Sequence, residues 1–358
     1  MQSITLNGSK QTEHANNFTL LRVLLAVMVV FGHFRLLSGG VTGRFPYNLA
    51  DAAVDAFFVV SGFLITGSFE RSRGVTGFYI RRAFRVIPLY ALVVLLQATA
   101  LIVFLRVRGL SIPIGETSKY LLFNLGFANF AQHDIGGLLE SRLLVPTMNP
   151  SLWTLKIEIG FYLIAPLVYA AMRRWGEWVL LPIFLASACF EVSLRHLGLD
   201  QYARQLPGQM QFFVVGIALY HHADKIRINL PLAVICCIAF FMAWTWLWPI
   251  PAGIRPLIVG VFVVCFALRL PVIPLRSDLS YGSYLMHGPL IQILLFLGFY
   301  QDTVWMLAGV MITVMAMSFL TEHLVEKPGI ELGKRLARRT ERQRLPKGIL
   351  LSEPAKKV

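Results

Sequence analysis

Apolar runs recur along the whole of this 358-residue chain, separated by polar, turn-rich or basic stretches. A helix rising about 1.5 Å per residue needs about twenty apolar residues to cross a hydrocarbon core about 30 Å thick. The pattern therefore predicts an all-α fold, a polytopic transmembrane helix bundle; a membrane barrel would show short alternating strands instead. The runs lie near residues 18–37, 52–69, 84–105 and 151–172, then near 179–194, 210–220, 230–248, 254–268, 279–298 and 304–324. The segment 120–130 is short for a span and reads as re-entrant or interfacial.

Basic residues set the orientation, because loops rich in Lys and Arg stay on the cytoplasmic side. Arg71, Arg73, Arg81 and Arg82 follow the second run, and Arg173 and Arg174 follow the run 151–172. His222, Lys225, Arg227, Arg269 and Arg276 flank later runs, and a basic tail extends from Lys334 to Lys347. These positions agree if 120–130 does not cross. The expectation is then about ten spans with both termini inside and the loop around Arg44 outside. The corresponding organisation is a cytoplasmic segment 1–17, one membrane domain 18–330 and a basic cytoplasmic tail 331–358. No small-residue cleavage site follows the first run, so it reads as a retained helix rather than a signal peptide.

Composition narrows the function classes. Hydrophobic residues make up 56% and charged residues 15% of the chain, and the mean hydropathy is +0.64. The net charge of +14 would suit a nucleic-acid binder, but the positive-inside pattern accounts for it and no nucleic-acid partner is expected. Cys189, Cys236, Cys237 and Cys265 all fall in apolar runs and read as core residues rather than a disulfide framework. No metal site is expected, since no two histidines stand at i, i+4 beside a carboxylate.

Ionisable groups at membrane depth face a cavity, pair with one another or mark a pathway. Arg22 and His33 are eleven residues apart, within about 20° of one helix face and about 16 Å apart along it. Depth arithmetic places His33, Asp55 and Glu158 in the outer half, and Arg22, Arg82, Arg85 and His287 in the inner half. Taken singly, each has a plain structural role: a histidine tying helices together, a carboxylate as counter-ion, arginines as a stop-transfer signal. Ser61 reads as a packing residue, and His221 and His222 as interfacial. Together they suggest more. A histidine oriented by a carboxylate, Asp55 or Glu158, can remove a proton from a hydroxyl. Arginines at the cytoplasmic face can hold a phosphate-bearing co-substrate.

Several strings are recognisable, in order, along nearly the whole chain. They are Arg22 and His33 with ten residues between them, then Val54-Asp55-Ala56-Phe57-Phe58-Val59-Val60-Ser61-Gly62-Phe63-Leu64-Ile65 and Arg81-Arg82-Ala83-Phe84-Arg85-Val86-Ile87-Pro88. Ser151-Leu152-Trp153-Thr154-Leu155-Lys156-Ile157-Glu158 follows, then Leu279-Ser280-Tyr281-Gly282-Ser283-Tyr284-Leu285-Met286-His287 and Val325-Glu326-Lys327-Pro328. Together they resemble the acyltransferase-3 family of membrane O-acyltransferases. The resemblance implies a multi-pass protein of the bacterial inner membrane that O-acylates, usually O-acetylates, an extracytoplasmic carbohydrate or lipid-linked glycan. It implies acetyl-CoA or another acyl-CoA as co-substrate, no bound cofactor, and polysaccharide-assembly proteins as partners.

By match of motif, His33 and Arg22 carry over as the paired essential residues, Arg82 and Arg85 as the donor-side basic pair, and Glu158 as an intramembrane acid. Trp153, Tyr281, Tyr284 and His287 are further candidates. Some relatives carry an appended extracytoplasmic hydrolase-like domain; without one, the expectation is that this chain finishes transfer itself or uses a separate partner. The alternative from another class is a transporter or flippase of a lipid-linked glycan, but the chain shows no repeated halves of the transporter kind.

Overall fold

The computed structural model describes residues 16–42, 45–246 and 250–343, and every regular element among them is helical. Arg44, Trp248, most of the N-terminal segment and the tail beyond Gln343 lie outside the described residues. The helices are α1 (Phe18–Leu36), α2 (Ala50–Glu70), α3 (Val75–Val107), α4 (Ile114–Leu125), α5 (Leu152–Trp175), α6 (Leu180–His196) and α7 (Asp200–Ala203). They continue as α8 (Leu206–His222), α9 (Leu230–Trp246), α10 (Ile254–Val264), α11 (Ser280–Phe296), α12 (Val304–Thr321) and α13 (Lys327–Gln343). Among the described residues six helical segments are long and apolar enough to cross a membrane, containing α1, α2, α3, α5, α6 and α12. Four shorter helices accompany them: α8, α9 and α11, and α10 continued by a π-helical turn, Cys265–Arg269. The 12-residue α4 reaches only about 18 Å, too short to cross.

Small residues set the tightest contacts, as expected where lipid gives helices no hydrophobic reason to associate. A Cβ on Gly62 would lie 2.2 Å from the Phe213 carbonyl oxygen, and one on Gly216 would lie 2.1 Å from that of Val59. Backbones of α2 and α8 therefore touch, and Phe161 of α5 stacks on Phe213 beside the crossing, ring centroids 4.4 Å apart. Gly32 lets α1 close on Ala50 in the same way. A buried ion group ties α6 to α10, with Arg255 Nη2 2.5 Å from Glu191 Oε1 and Arg195 Nη2 2.8 Å from the same oxygen. The fully buried Glu191 is thereby shared by two guanidiniums, so loss of either arginine still leaves it a partner.

A π-helical turn, Glu322–Glu326, carries α12 directly into α13. The described part of the basic tail is thus a helix packed along α3. Gly333 abuts Phe84, Gly329 abuts Pro88, and Arg81 Nη2 donates to Glu341 Oε1 at 2.6 Å. Of the cysteines, Cys237 and Cys265 are buried, Cys236 partly so, and Cys189 is exposed on α6, where the sequence suggested core.

Candidate functional site

Helices α1 and α11 are pinned together at two levels. At one, Arg22 Nη1 lies 2.5 Å from Asp278 Oδ2, just before α11. At the other, His33 Nδ1 lies 2.7 Å from His287 Nε2. Arg22 to His33 is eleven residues and Asp278 to His287 is nine, so two helices rising about 1.5 Å per residue stay in register between the pins.

The arginine level opens into a cavity of about 240 Å³ walled by Arg22, Arg71, Arg82, Arg85, Glu158 and Tyr281. Asp278 also reaches Arg85, whose Nη2 is 3.3 Å away, and accepts from the Ser280 hydroxyl at 2.6 Å. Its own amide donates to Glu322 Oε1 at 2.9 Å. Burial alone would raise the Asp278 carboxyl, but the Arg22 and Arg85 guanidiniums and the Ser280 hydrogen bonds outweigh it and hold it at about 2. Arg82 lies over the Tyr162 ring at 5.7 Å, its Nε lacks a hydrogen-bond partner, and the Tyr162 hydroxyl donates to Glu158. Four arginines on one cavity are suited to phosphate oxygens.

The same cavity is also walled by Thr154, one turn before Glu158 on α5, and by Tyr284, one turn after Tyr281 on α11. Thr154 Oγ1 donates to the Ser151 carbonyl at 3.0 Å, so the Tyr284 hydroxyl, 2.8 Å away, donates to Thr154. Ser151 Oγ in turn donates to His287 Nε2 at 3.2 Å. The tautomers follow from the acceptors. His287 Nδ1 is 2.9 Å from the Ser283 carbonyl oxygen, which only accepts, so the His287 proton sits on Nδ1 and its Nε2 is a bare acceptor. His33 must then donate from Nδ1, which leaves its Nε2 lone pair free. His287 is fully buried, whereas His33 is half-buried. The segment before α5 fixes this level: Asn149 Nδ2 donates to the Leu285 carbonyl at 2.9 Å, and Gln292 Nε2 donates to those of Val145 and Thr147, each at 2.8 Å.

Three expectations from sequence are corrected. Asp55 does not orient His33; it faces Arg255, whose Nε is 3.7 Å away, on a side of α2 turned toward α8 and α10. Glu158 sits with Arg82 at the arginine level rather than with His33 in the outer half. His287 is not in the inner half but level with His33. Depth counted along a helix gives neither its azimuth nor where its neighbour begins. Arg22, Arg82, Arg85, Glu158, Tyr281 and Tyr284 do share one cavity, with Ser61 in its wall. Trp153 lines a separate cleft beside it, with Asp55. His222 is remote, paired with Glu177 at 2.7 Å. Sequence reasoning missed Asp278 and Arg71. Asp278 stands immediately before the recognised Leu279–His287 string, the one signal that pointed to it.

A family profile described as an acyltransferase domain, Acyl_transf_3, matches residues 16–323. The chain is 26% identical over 363 residues to nodulation protein 10 of Rhizobium leguminosarum bv. viciae, covering 91% of this chain and 96% of that protein. It is 26% identical over 330 residues to the O-acetyl transferase of Shigella phage Sf6, covering 87% and 95%. A shorter stretch of 131 residues is 29% identical to the acyltransferase MdmB of Streptomyces mycarofaciens, covering 36% and 30%. No solved structure matches the chain.

Proposed function

Because this chain belongs to the acyltransferase-3 family of membrane O-acyltransferases, we propose that it moves an acyl group, acetyl in the simplest case, from cytoplasmic acyl-CoA to a hydroxyl of an extracytoplasmic or lipid-linked carbohydrate. The observation that carries the reading is a cavity walled by four arginines, Thr154 and Tyr284, with the His33–His287 pair packed behind that wall, the His287 ring centroid 6.0 Å from that of Tyr284. The family makes a bond, so the transporter alternative is set aside. The membrane is the bacterial inner membrane, crossed by the ten long and shorter apolar helices with both termini inside.

The arginines hold the phosphates of the donor, and its acyl-bearing arm points along the cavity toward Tyr284. His33 Nε2 takes the proton of the acceptor hydroxyl as its oxygen attacks the thioester carbonyl. A C–O bond forms, the C–S bond breaks, and the proton returns from His33 to the departing CoA sulfur. His287 holds His33 in the tautomer this requires. Its role matches that of the orienting carboxylate in a catalytic triad, but it adds no charge.

Purified protein given radiolabelled acetyl-CoA and a glycan-bearing membrane extract should release CoA and label the glycan together. Release that is independent of the extract, with no labelled glycan, would overturn the reading. On the donor side, the Arg82→Ala/Arg85→Ala protein should insert normally and bind acetyl-CoA about ten- to a hundredfold more weakly, the worth of one or two charge-assisted phosphate contacts. Unchanged donor affinity, measured by equilibrium binding, would confine these arginines to setting topology. For topology, cysteines introduced at Ser38 should react with an external membrane-impermeant reagent, while those at Arg73 and Arg173 should not. External labelling at Arg173 would force residues 120–130 across the bilayer.

A further inference from the structure

Beside the cavity, and sharing the Val54 side chain as a wall, lies a cleft between the N-terminal ends of α2, α5, α8 and α10. We propose that this cleft seats the acceptor. A hydroxyl of an uncharged sugar enters its floor between Asp55, Gln209 and Arg255, and the ring rests at its mouth among Asp51, Trp153 and Arg204. The proposal rests on the acyl-transfer reading and adds to it a site and a ligand class.

Three buried polar atoms on the cleft residues have no hydrogen-bond partner: Gln209 Oε1, and Asp55 Oδ2 and Arg255 Nε, which face each other across 3.7 Å, close enough to attract but too far apart to hydrogen-bond. Their residues are 3%, 7% and 6% exposed, so bulk water does not satisfy them. Two are acceptors and one is a donor. A hydroxyl both donates and accepts, so one such group can serve both kinds, which a bare cation or anion cannot. The whole cleft, about 20 Å³, has room for one group of that size.

Charge selects further. Asp51 and Asp55 face Arg195, Arg204 and Arg255 in the cleft, and Glu191 behind it binds both Arg195 and Arg255. With Glu191, and with Asp200 on Arg195 at 2.9 Å, the acids offset all three bases and leave no positive charge to attract a phosphate or a carboxylate, in contrast to the arginine level of the neighbouring cavity. Trp153 offers a half-buried aromatic face at the mouth. It lies two residues after Ser151, which donates to His287, so the cleft and the histidine pair lie at one level but on different faces of the start of α5. The cleft also lies at the end of the bundle where α1 ends, at Leu36 three residues past His33, and α2 begins.

The test compares wild type with Gln209→Leu, Trp153→Leu and Arg204→Ala in membranes supplied with radiolabelled acetyl-CoA and graded amounts of glycan extracted from the host's own envelope. The expected result is an apparent KM for glycan raised about tenfold or more, with the KM for acetyl-CoA within about twofold of wild type. The Arg204 side chain is 41% exposed, so Arg204→Ala decides the matter if the buried Gln209→Leu fails to fold. Glycan KM values unchanged across the folded variants, or donor KM rising in step, would overturn the site. Absence of label with wild type would instead overturn the acyl-transfer reading, and this site with it.

Discussion

Replacing His33 with glutamine is expected to abolish measurable acyl transfer while leaving expression, membrane insertion and acetyl-CoA binding intact. An alcohol is a weak nucleophile at neutral pH and the thioester is already activated, so removing the hydroxyl proton is the main chemical demand. General-base catalysis of that kind contributes about 10²–10⁴-fold. Glutamine keeps a donor that can reach His287 Nε2, so helix packing at the 2.7 Å contact persists, but an amide cannot accept and return a proton. A packing role for His33 would leave His33→Gln close to wild type. The decisive measurement is the single-turnover rate of label entering glycan at saturating donor. A variant within about tenfold of wild type would move the base elsewhere.

The second large effect is expected at His287, which touches no substrate and acts through His33. His287→Phe fills the buried site but removes the acceptor for His33 Nδ1–H. The imidazole is then free to carry its proton on the nitrogen that must accept the hydroxyl proton. Loss of tautomer control in a triad costs up to about 10⁴-fold in rate; without a charged partner to lose, about 10²-fold is expected here, with donor affinity unchanged. His287→Gln is the discriminating control, because its amide oxygen can accept from His33 Nδ1–H. Glutamine should therefore recover part of the rate that phenylalanine loses. A purely structural role predicts the reverse order, since an apolar ring suits a fully buried site better than an amide. Rates of His287→Gln at or below those of His287→Phe would overturn the positioning role.

Donor affinity should also show how Asp278 is balanced. Arg22 and Arg85 share this one carboxylate, and its low pKa keeps it ionised well below neutral pH. The pair therefore stays charged and ordered through the working range. The stabilising effect is full above the carboxylate's ordinary value of about 4 and fades only as pH falls toward 2.

Hydrophobic periodicity and length alone determined the helical class and the approximate place of every long helix, because each such helix must present about twenty apolar residues to lipid whatever its neighbours do. The rare ionisable residues inside those runs were equally visible, since lipid makes them conspicuous. Hence Arg22, His33 and Glu158 could be named from their positions, and Arg82 and Arg85 from the family resemblance. Their partners could not. The His33–His287 contact depends on where α11 begins relative to α1, which the Arg22–Asp278 pair sets from a loop with no apolar pattern. Asp55 read as a partner of His33 because helical depth was counted and helical azimuth was not. Azimuth is fixed by the glycine contacts that bring the α2 and α8 backbones together, turning Asp55 toward Arg255. The irregular chain before Ser151 was illegible for a related reason: it is held by side-chain hydrogen bonds to α11 rather than by any periodicity of its own. Sequence determined which groups lie at membrane depth; the packing of neighbouring helices decided which of them meet.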